Sequence, residues 1–403
     1  MNVRSERFPL FDSMRALAAL SVLAFHAAFF AGMYTSSSPL RPYLSHLNVG
    51  VSIFFLISGF LPYRPFVQAR LAGEPLPRTG PYAWRRFLRI VPAYWVAVTL
   101  VALWLGRTAT FKPEGIATYY GFAQIYGNHP AGIAQAWTLC VEVTFYAFLP
   151  LWAFAARRLF GQRWRAELIA LALLWLASLA YKVYAVRQVP PSSLASGPWL
   201  QPLPNFLDQF AVGMALAVLS VRRANGAELR LFRVIDRRPE IAWVLALVAF
   251  WAVSTQIGLT GRLGQNIHGR AFIASHELYT VVALGVLLPA IFGHERRDPL
   301  RRVLALRPLL YVGLVSYALY LWHAAVVQKV ASGTNGTLRH DLGFGVEARF
   351  VTYFVLAGAA AVAIATVSYY VVERPALSLK RLADRAPRAE DALAEPATAP
   401  STR

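Results

Sequence analysis

The sequence predicts an all-α polytopic integral membrane protein of about ten transmembrane helices, with both termini in the cytoplasm. Three observations carry this. Apolar runs of roughly twenty residues, the length a helix needs to cross a bilayer, recur along the whole 403-residue chain. Hydrophobic residues make up 57% of it and charged residues 15%, with a mean hydropathy of +0.45, a balance foreign to soluble domains of this size. The basic residues also alternate between loops. Loops 69–89, 156–166, 222–239 and 294–308 hold twenty Arg, against seven Arg and Lys in the remaining loops. The positive-inside rule places the richer set in the cytoplasm.

Taken in order, the spans are 9–33, 48–68, 90–106, 136–155, 167–186, 203–221, 240–258, 273–293, 309–331 and 347–372. The first opens with Asp12 and Arg15 and has no small-residue cleavage site after it, so it reads as a retained span and not a signal peptide. The intervening outer loops are short and rich in Gly, Pro, Ser and Asn, and none is long enough for a domain of its own. The tail from 382 to 403 lacks an apolar face and is expected to be a disordered cytoplasmic segment behind a single membrane domain, 1–381.

Composition also excludes. The net charge of +20 does not indicate nucleic acid, because no basic stripe with interleaved aromatics marks a soluble face. Cys140 is the sole cysteine, which rules out an internal disulfide and any cysteine-based zinc site. The Arg and Ala bias points to a high-GC bacterial genome, and hence to the inner membrane.

Ionisable groups at membrane depth are costly and mark candidate chemistry. Asp12, Arg15 and His26 fall on nearly one face of the first span, with His26 about 16 Å further from the cytoplasm than Arg15 at the helical rise. Asp12 with Arg15 also reads as an ion pair at the membrane edge. Glu142 in the fourth span and His323 in the ninth fall in the same outer half as His26. Two imidazoles and a carboxylate at one depth suit proton transfer, with the carboxylate orienting an imidazole. They could also bind a metal, but no His-x-x-x-His type pair supports that. Arg86 and Arg89, three apart at the start of the third span, share a helix face. Their guanidinium forks suit phosphate, and ordinary anchoring at the cytoplasmic surface is the alternative.

Together these segments resemble the acyltransferase-3 family of bacterial membrane O-acyltransferases. The resemblance rests on six phrases in the family's order: Phe11-Asp12-Ser-Met-Arg15 through His26; Gly50 through Phe60; Arg86 and Arg89 with Ile90, Pro92 and Tyr94; Trp137-Thr138-Leu139-Cys140-Val141-Glu142; Ser316, Tyr317, Tyr320, Leu321 and His323; and Glu373-Arg374-Pro375. It runs from residue 8 to 377. Thr138 stands where the family has Ser, and Val143-Thr144 where Glu-Gln often follows the Glu.

The resemblance implies transfer of an acyl group, commonly acetyl, from cytoplasmic acyl-CoA to a saccharide or glycolipid of the cell envelope, or in some members to a macrolide. It implies no bound cofactor; acyl-CoA is a substrate. On the residues, His26 is expected to be the general base, Glu142 to orient it or to serve as its proton partner, Arg15 to position the donor, and Arg86 and Arg89 to hold its phosphates. Asp12, Ser58, Tyr317 and His323 are expected to shape the acceptor pocket or to pack helices. A proton-coupled transporter using Asp12, Arg15, His26 and Glu142 as a relay is the non-enzyme alternative. Neither the repeated halves nor the broken helices common in transporters are visible in the sequence.

Overall fold

The structure is a computed structural model and describes residues 8, 10–126, 132–189, 198–262, 265, 268–293, 299–338 and 342–380. The tail expected to be disordered lies outside the described residues. No strand occurs among those described. Ten long helices correspond to the ten apolar runs: α1 (Phe11–Phe30), α2 (Gly50–Ala72), α3 (Thr79–Trp104), α4 (Trp137–Phe160), α5 (Trp164–Ala185), α6 (Leu207–Ala224), α7 (Glu240–Thr255), α8 (Gly269–Phe292), α9 (Ser316–Gly336) and α10 (Val346–Ser368).

Seven membrane-crossing helices are found among the described residues by length and apolarity, and nine if each of two bent pairs is one span. The other, α6, is 18 residues long and carries Asp208, Arg222 and Arg223. The chain is therefore an all-helical, multi-pass membrane protein.

The ninth expected span, 309–331, is not one helix. It breaks at Val315 into a short helix, Arg307–Leu314, and α9, bent by 80°. Gly313, within the short helix, lets it lie close against α1. A Cβ there would lie 1.9 Å from the Asp12 carbonyl oxygen, so only glycine lets the short helix press against α1. The broken helix that the sequence did not reveal is thus present, and it starts α9 inside the bundle.

Because lipid removes the hydrophobic drive between helices, close approach of small residues does much of the packing. Between α2 and α6, a Cβ on Gly59 would come within 2.4 Å of the Phe210 carbonyl, and one on Gly213 within 2.2 Å of that of Leu56. Two apolar clusters result. One joins α2, α4, α6 and α8 to the first turns of α1, and the other joins α3, α9 and α10 to the rest of α1. Helix α1 is common to both, and the candidate site lies along the seam between them.

Two buried ionic networks tie the helices of the first cluster. Lys182 Nζ of α5 lies 2.6 Å from Asp208 Oδ2 and 2.8 Å from Glu277 Oε1, with Lys182 and Asp208 wholly buried. This is how α6 carries an aspartate inside the membrane. Arg70 of α2 similarly pairs with buried Glu167 of α5, which also accepts a hydrogen bond from Tyr63.

Candidate active site

Helices α1, α2, α3, α4 and α9 line a partly open cavity of about 100 Å³. Arg15 reaches it from α1, Ser58 from α2, and Arg86 and Arg89 from α3, where their spacing of three puts both on one face. Helix α4 contributes Thr138, Glu142 and Tyr146, and the start of α9 contributes Ser316, Tyr317 and Tyr320. Since α9 begins at the cavity, the positive end of its dipole lies there as well.

The polar groups of this first chamber are held in place. Glu142 accepts hydrogen bonds from Ser58 Oγ and from Tyr146 OH, the latter at 2.5 Å. Arg15 Nη1 donates to Asp12 at 3.2 Å, the ion pair foreseen at the membrane edge. Arg86 makes no ion pair among the described residues; its guanidinium lies over the rings of Tyr82 and Tyr146, and its Nε is buried without a partner. Arg89 lies over the ring of Tyr317, whose hydroxyl donates to the Ile90 carbonyl at 2.7 Å. Just outside the membrane-spanning segments, burial and then the charges of Arg89, Arg86 and Arg85 pull the Lys380 ammonium below its usual pKa. The mouth of this chamber is strongly positive.

A second, partly open cavity, of about 310 Å³, lies toward the other ends of α1 and α3. It is lined by His26, Phe25, Phe29, Arg107, Gln135 and Gln328, among others. The two chambers are separated by little more than one helical turn of α4 and α9. Tyr320 OH bonds Thr138 Oγ1 at 2.8 Å and donates to the Gln135 carbonyl at 3.1 Å, while Gln135 Nε2 donates to the carbonyls of Tyr320 and Leu321. These three side chains form the wall.

The protonation of the histidine pair follows from its partners. His323 Nδ1 faces the Leu319 and Tyr320 carbonyls at 3.1 and 2.8 Å. Carbonyls only accept, so His323 Nδ1 carries the proton and its Nε2 is an acceptor. That Nε2 lies 3.2 Å from His26 Nδ1, which is also 2.9 Å from the Val22 carbonyl. His26 Nδ1–H donates to both, which leaves His26 Nε2 unprotonated in the neutral ring.

The sequence candidates are therefore divided. Arg15, Arg86, Arg89, Ser58, Glu142 and Tyr317 line the first chamber. His26 lines the second, with the wholly buried His323 behind it. Glu142 does not orient His26: its carboxylate is engaged by Ser58 and Tyr146, and His323 is the imidazole's partner. Depth along a helix was readable, but the rotation that turns Glu142 toward α2 and His26 toward α9 was not. For the same reason Asp12, Arg15, His26 and Glu142 form no continuous hydrogen-bonded relay. Tyr146, one turn beyond Glu142 on the same face, was a legible signal that sequence reasoning left out of the site. Thr138, Tyr320, Gln135, Arg107 and Gln328 were also left out. Among the described residues, no group of three or more His, Cys, Asp and Glu could hold a metal ion.

Comparison with known proteins bears on what such a pair of chambers does. Residues 9–370 match the family described as "Acyltransferase domain", the acyltransferase-3 family. The chain belongs to this family. It is thus an enzyme that transfers acyl groups. Its relatives include the peptidoglycan O-acetyltransferase OatA of Listeria monocytogenes, 24% identical over 79% of this chain and 49% of that protein. Nodulation protein 10 of Rhizobium leguminosarum bv. viciae is 25% identical over 92% of this chain and 93% of its own length. Acyltransferase MdmB of Streptomyces mycarofaciens is 28% identical over 54% and 59%. The chain thus spans about half of the Listeria protein and nearly all of the rhizobial one. No solved structure matches the chain.

Proposed function

We propose that this acyltransferase carries an acyl group, acetyl in the first instance, from acyl-CoA to a hydroxyl of a cell-envelope saccharide in the bacterial cytoplasmic membrane. The observation that carries this reading is the pair of chambers set end to end, one lined by guanidinium groups and the other holding an imidazole with a free Nε2. The relatives that act on peptidoglycan support the choice of acceptor.

Acyl-CoA enters the first chamber from the cytoplasm. Arg86 and Arg89 hold its phosphates, and Arg15 with the start of α9 draws the rest of the donor inward. The thioester is carried past the Thr138–Tyr320–Gln135 wall, which must part to admit it. In the second chamber the acceptor hydroxyl oxygen attacks the thioester carbonyl carbon while His26 Nε2 takes its proton. The imidazolium keeps its Nδ1–H on Val22 and His323, so His323 is the positioning partner of the base. Cleavage of the carbon–sulfur bond releases the CoA thiolate, which takes the proton from His26 and leaves as the thiol. Glu142, Ser58 and Tyr146 fix the polar floor of the donor chamber.

Purified protein given acetyl-CoA and a saccharide should release free CoA. His26→Ala should lose about 100- to 10,000-fold in rate while folding normally, and His323→Ala should lose less. A well-folded His26→Ala that keeps more than a tenth of wild-type turnover would remove the base from the scheme.

The direction of transfer rests on the asymmetry of the arginine-bearing loops. Cysteines introduced in loop 259–272 should react with an impermeant thiol reagent in cells with a permeabilised outer envelope, and those in 222–239 should not. The opposite labelling pattern would reverse the donor route.

A further inference from the structure

The second chamber contains a charge that the chemistry above does not use. Arg107 follows the end of α3 and lines the cavity together with His26. Its Nη1 donates to the Gly132 carbonyl and its Nη2 to Gln328 Oε1 at 3.2 Å. Those bonds use two of the five N–H donors of a guanidinium. No carboxylate lies within ion-pair range of Arg107 among the described residues, and none is among the groups lining the chamber. Gln328, which accepts from Arg107, also lines the cavity, and its side-chain amide carries N–H donors as well. The neighbouring lining is apolar and aromatic, with Phe29, Phe30, Val101 and Leu105.

A guanidinium fixed by two neutral acceptors, with no counter-ion among the described residues, in a mostly apolar cavity has a definite complement. Partial burial pulls Arg107 below its usual pKa, since its charge is poorly solvated there. A bound anion would offset that loss, and charge-assisted hydrogen bonds in such surroundings are the stronger kind. The fork suits an oxyanion with two accepting oxygens, a carboxylate or a phosphate.

We propose that Arg107 and Gln328 form a recognition site for an oxyanion carried by the acceptor, so that the saccharide acylated at His26 is an acidic one. This rests on the reading that the second chamber receives the acceptor. A sugar ring lying on Phe29 and Phe30 would then present a hydroxyl to His26 and its charged substituent to Arg107. The oxyanion is either a carboxylate on the sugar or a phosphate ester joining it to a carrier.

The test is binding to the full chain in nanodiscs, read by saturation-transfer NMR, which needs no turnover. The probes are methyl β-D-glucuronide, glucose 1-phosphate and methyl β-D-glucoside. The wild type should bind at least one charged probe about tenfold or more tightly than the neutral glucoside, and which one it prefers separates carboxylate from phosphate. Arg107→Gln should bring that ratio to about one, and Arg107→Lys should retain part of it. Equal binding of all three probes by the wild type, absence of binding by the charged ones, or a ratio unchanged in Arg107→Gln would overturn the proposal. Should Arg107→Gln fail to accumulate, Gln328→Leu is read in its place, with CoA present to occupy the arginines of the first chamber, and a ratio unchanged there would overturn the proposal. A charge preference in a protein that transfers no acyl group would sink the functional reading and keep the site; transfer without any charge preference would do the reverse.

Discussion

Two sets of charges in this membrane domain, one largely buried and one partly, look alike in sequence and differ in structure. The Lys182 set is closed. The ammonium meets Asp208 and Glu277 within 2.8 Å, and Asp208 accepts a further hydrogen bond from Ser178 at 3.1 Å. The arginine set of the first chamber is open. Arg86 and Arg89 face a cavity and lie over aromatic rings; Glu142 lines the same cavity and buried Glu373 lies near Arg89, but neither makes an ion pair with them among the described residues. A charge in a low-dielectric interior is stable only when something answers it. In the first set the protein supplies that partner, so the charges join helices. In the second the partner has to come from outside, so the charges make a site.

The largest effect that could break this distinction is expected at Lys182. Removing one member of a buried ion pair leaves its partner uncompensated and typically costs about 3–5 kcal/mol. Lys182→Met should therefore sharply reduce the amount of monodisperse protein recovered in detergent and lower its melting temperature. The combined change Lys182→Met, Asp208→Asn and Glu277→Gln should recover much of that loss, because no orphan charge remains. If Lys182→Met melts with the wild type, the set is not a helix clamp and the contrast with the arginines dissolves.

The same contrast explains how much was legible. All ten long helices follow from apolar runs, because hydrophobic length is written directly in residue type. The membership of the first chamber was also largely legible. Arg15 and Glu142 are ionisable groups at membrane depth, Arg86 and Arg89 share a helix face at the cytoplasmic surface, and each stands in a phrase that resembles the acyltransferase-3 family. The Lys182 set went unremarked, although Lys182, Asp208 and Glu277 are just as conspicuous within apolar runs. The pairing of charges on α5, α6 and α8 depends on which helices neighbour each other, and hydropathy does not encode that. The same missing information led to Glu142 being assigned to His26, whose partner is His323. The bend at Val315 was hidden because both halves of the ninth run are apolar.

A smaller effect is expected at the open arginines, and it sharpens the comparison most. Arg86 has no ion-pair partner among the described residues to leave behind, so Arg86→Ala should accumulate and melt nearly as the wild type does, whereas Arg89→Ala also removes the charge beside the buried Glu373 carboxylate and should cost some stability. What they lose is a grip on phosphate groups that the acyl-transfer step never alters. Contacts made equally in the ground and transition states appear in KM more than in kcat. Each substitution should raise KM for acetyl-CoA by about tenfold or more, the usual weight of charge-assisted hydrogen bonds, with a lesser change in kcat. With acetyl-pantetheine, which lacks the nucleotide, the penalty should shrink because the contact is already missing. Arg→Lys should restore the donor only in part, since an ammonium offers a point charge where the guanidinium offers a fork. Equal losses with the full and the truncated donor, accompanied by a fall in melting temperature comparable to that of Lys182→Met, would place these arginines with Lys182 among the charges that hold the fold.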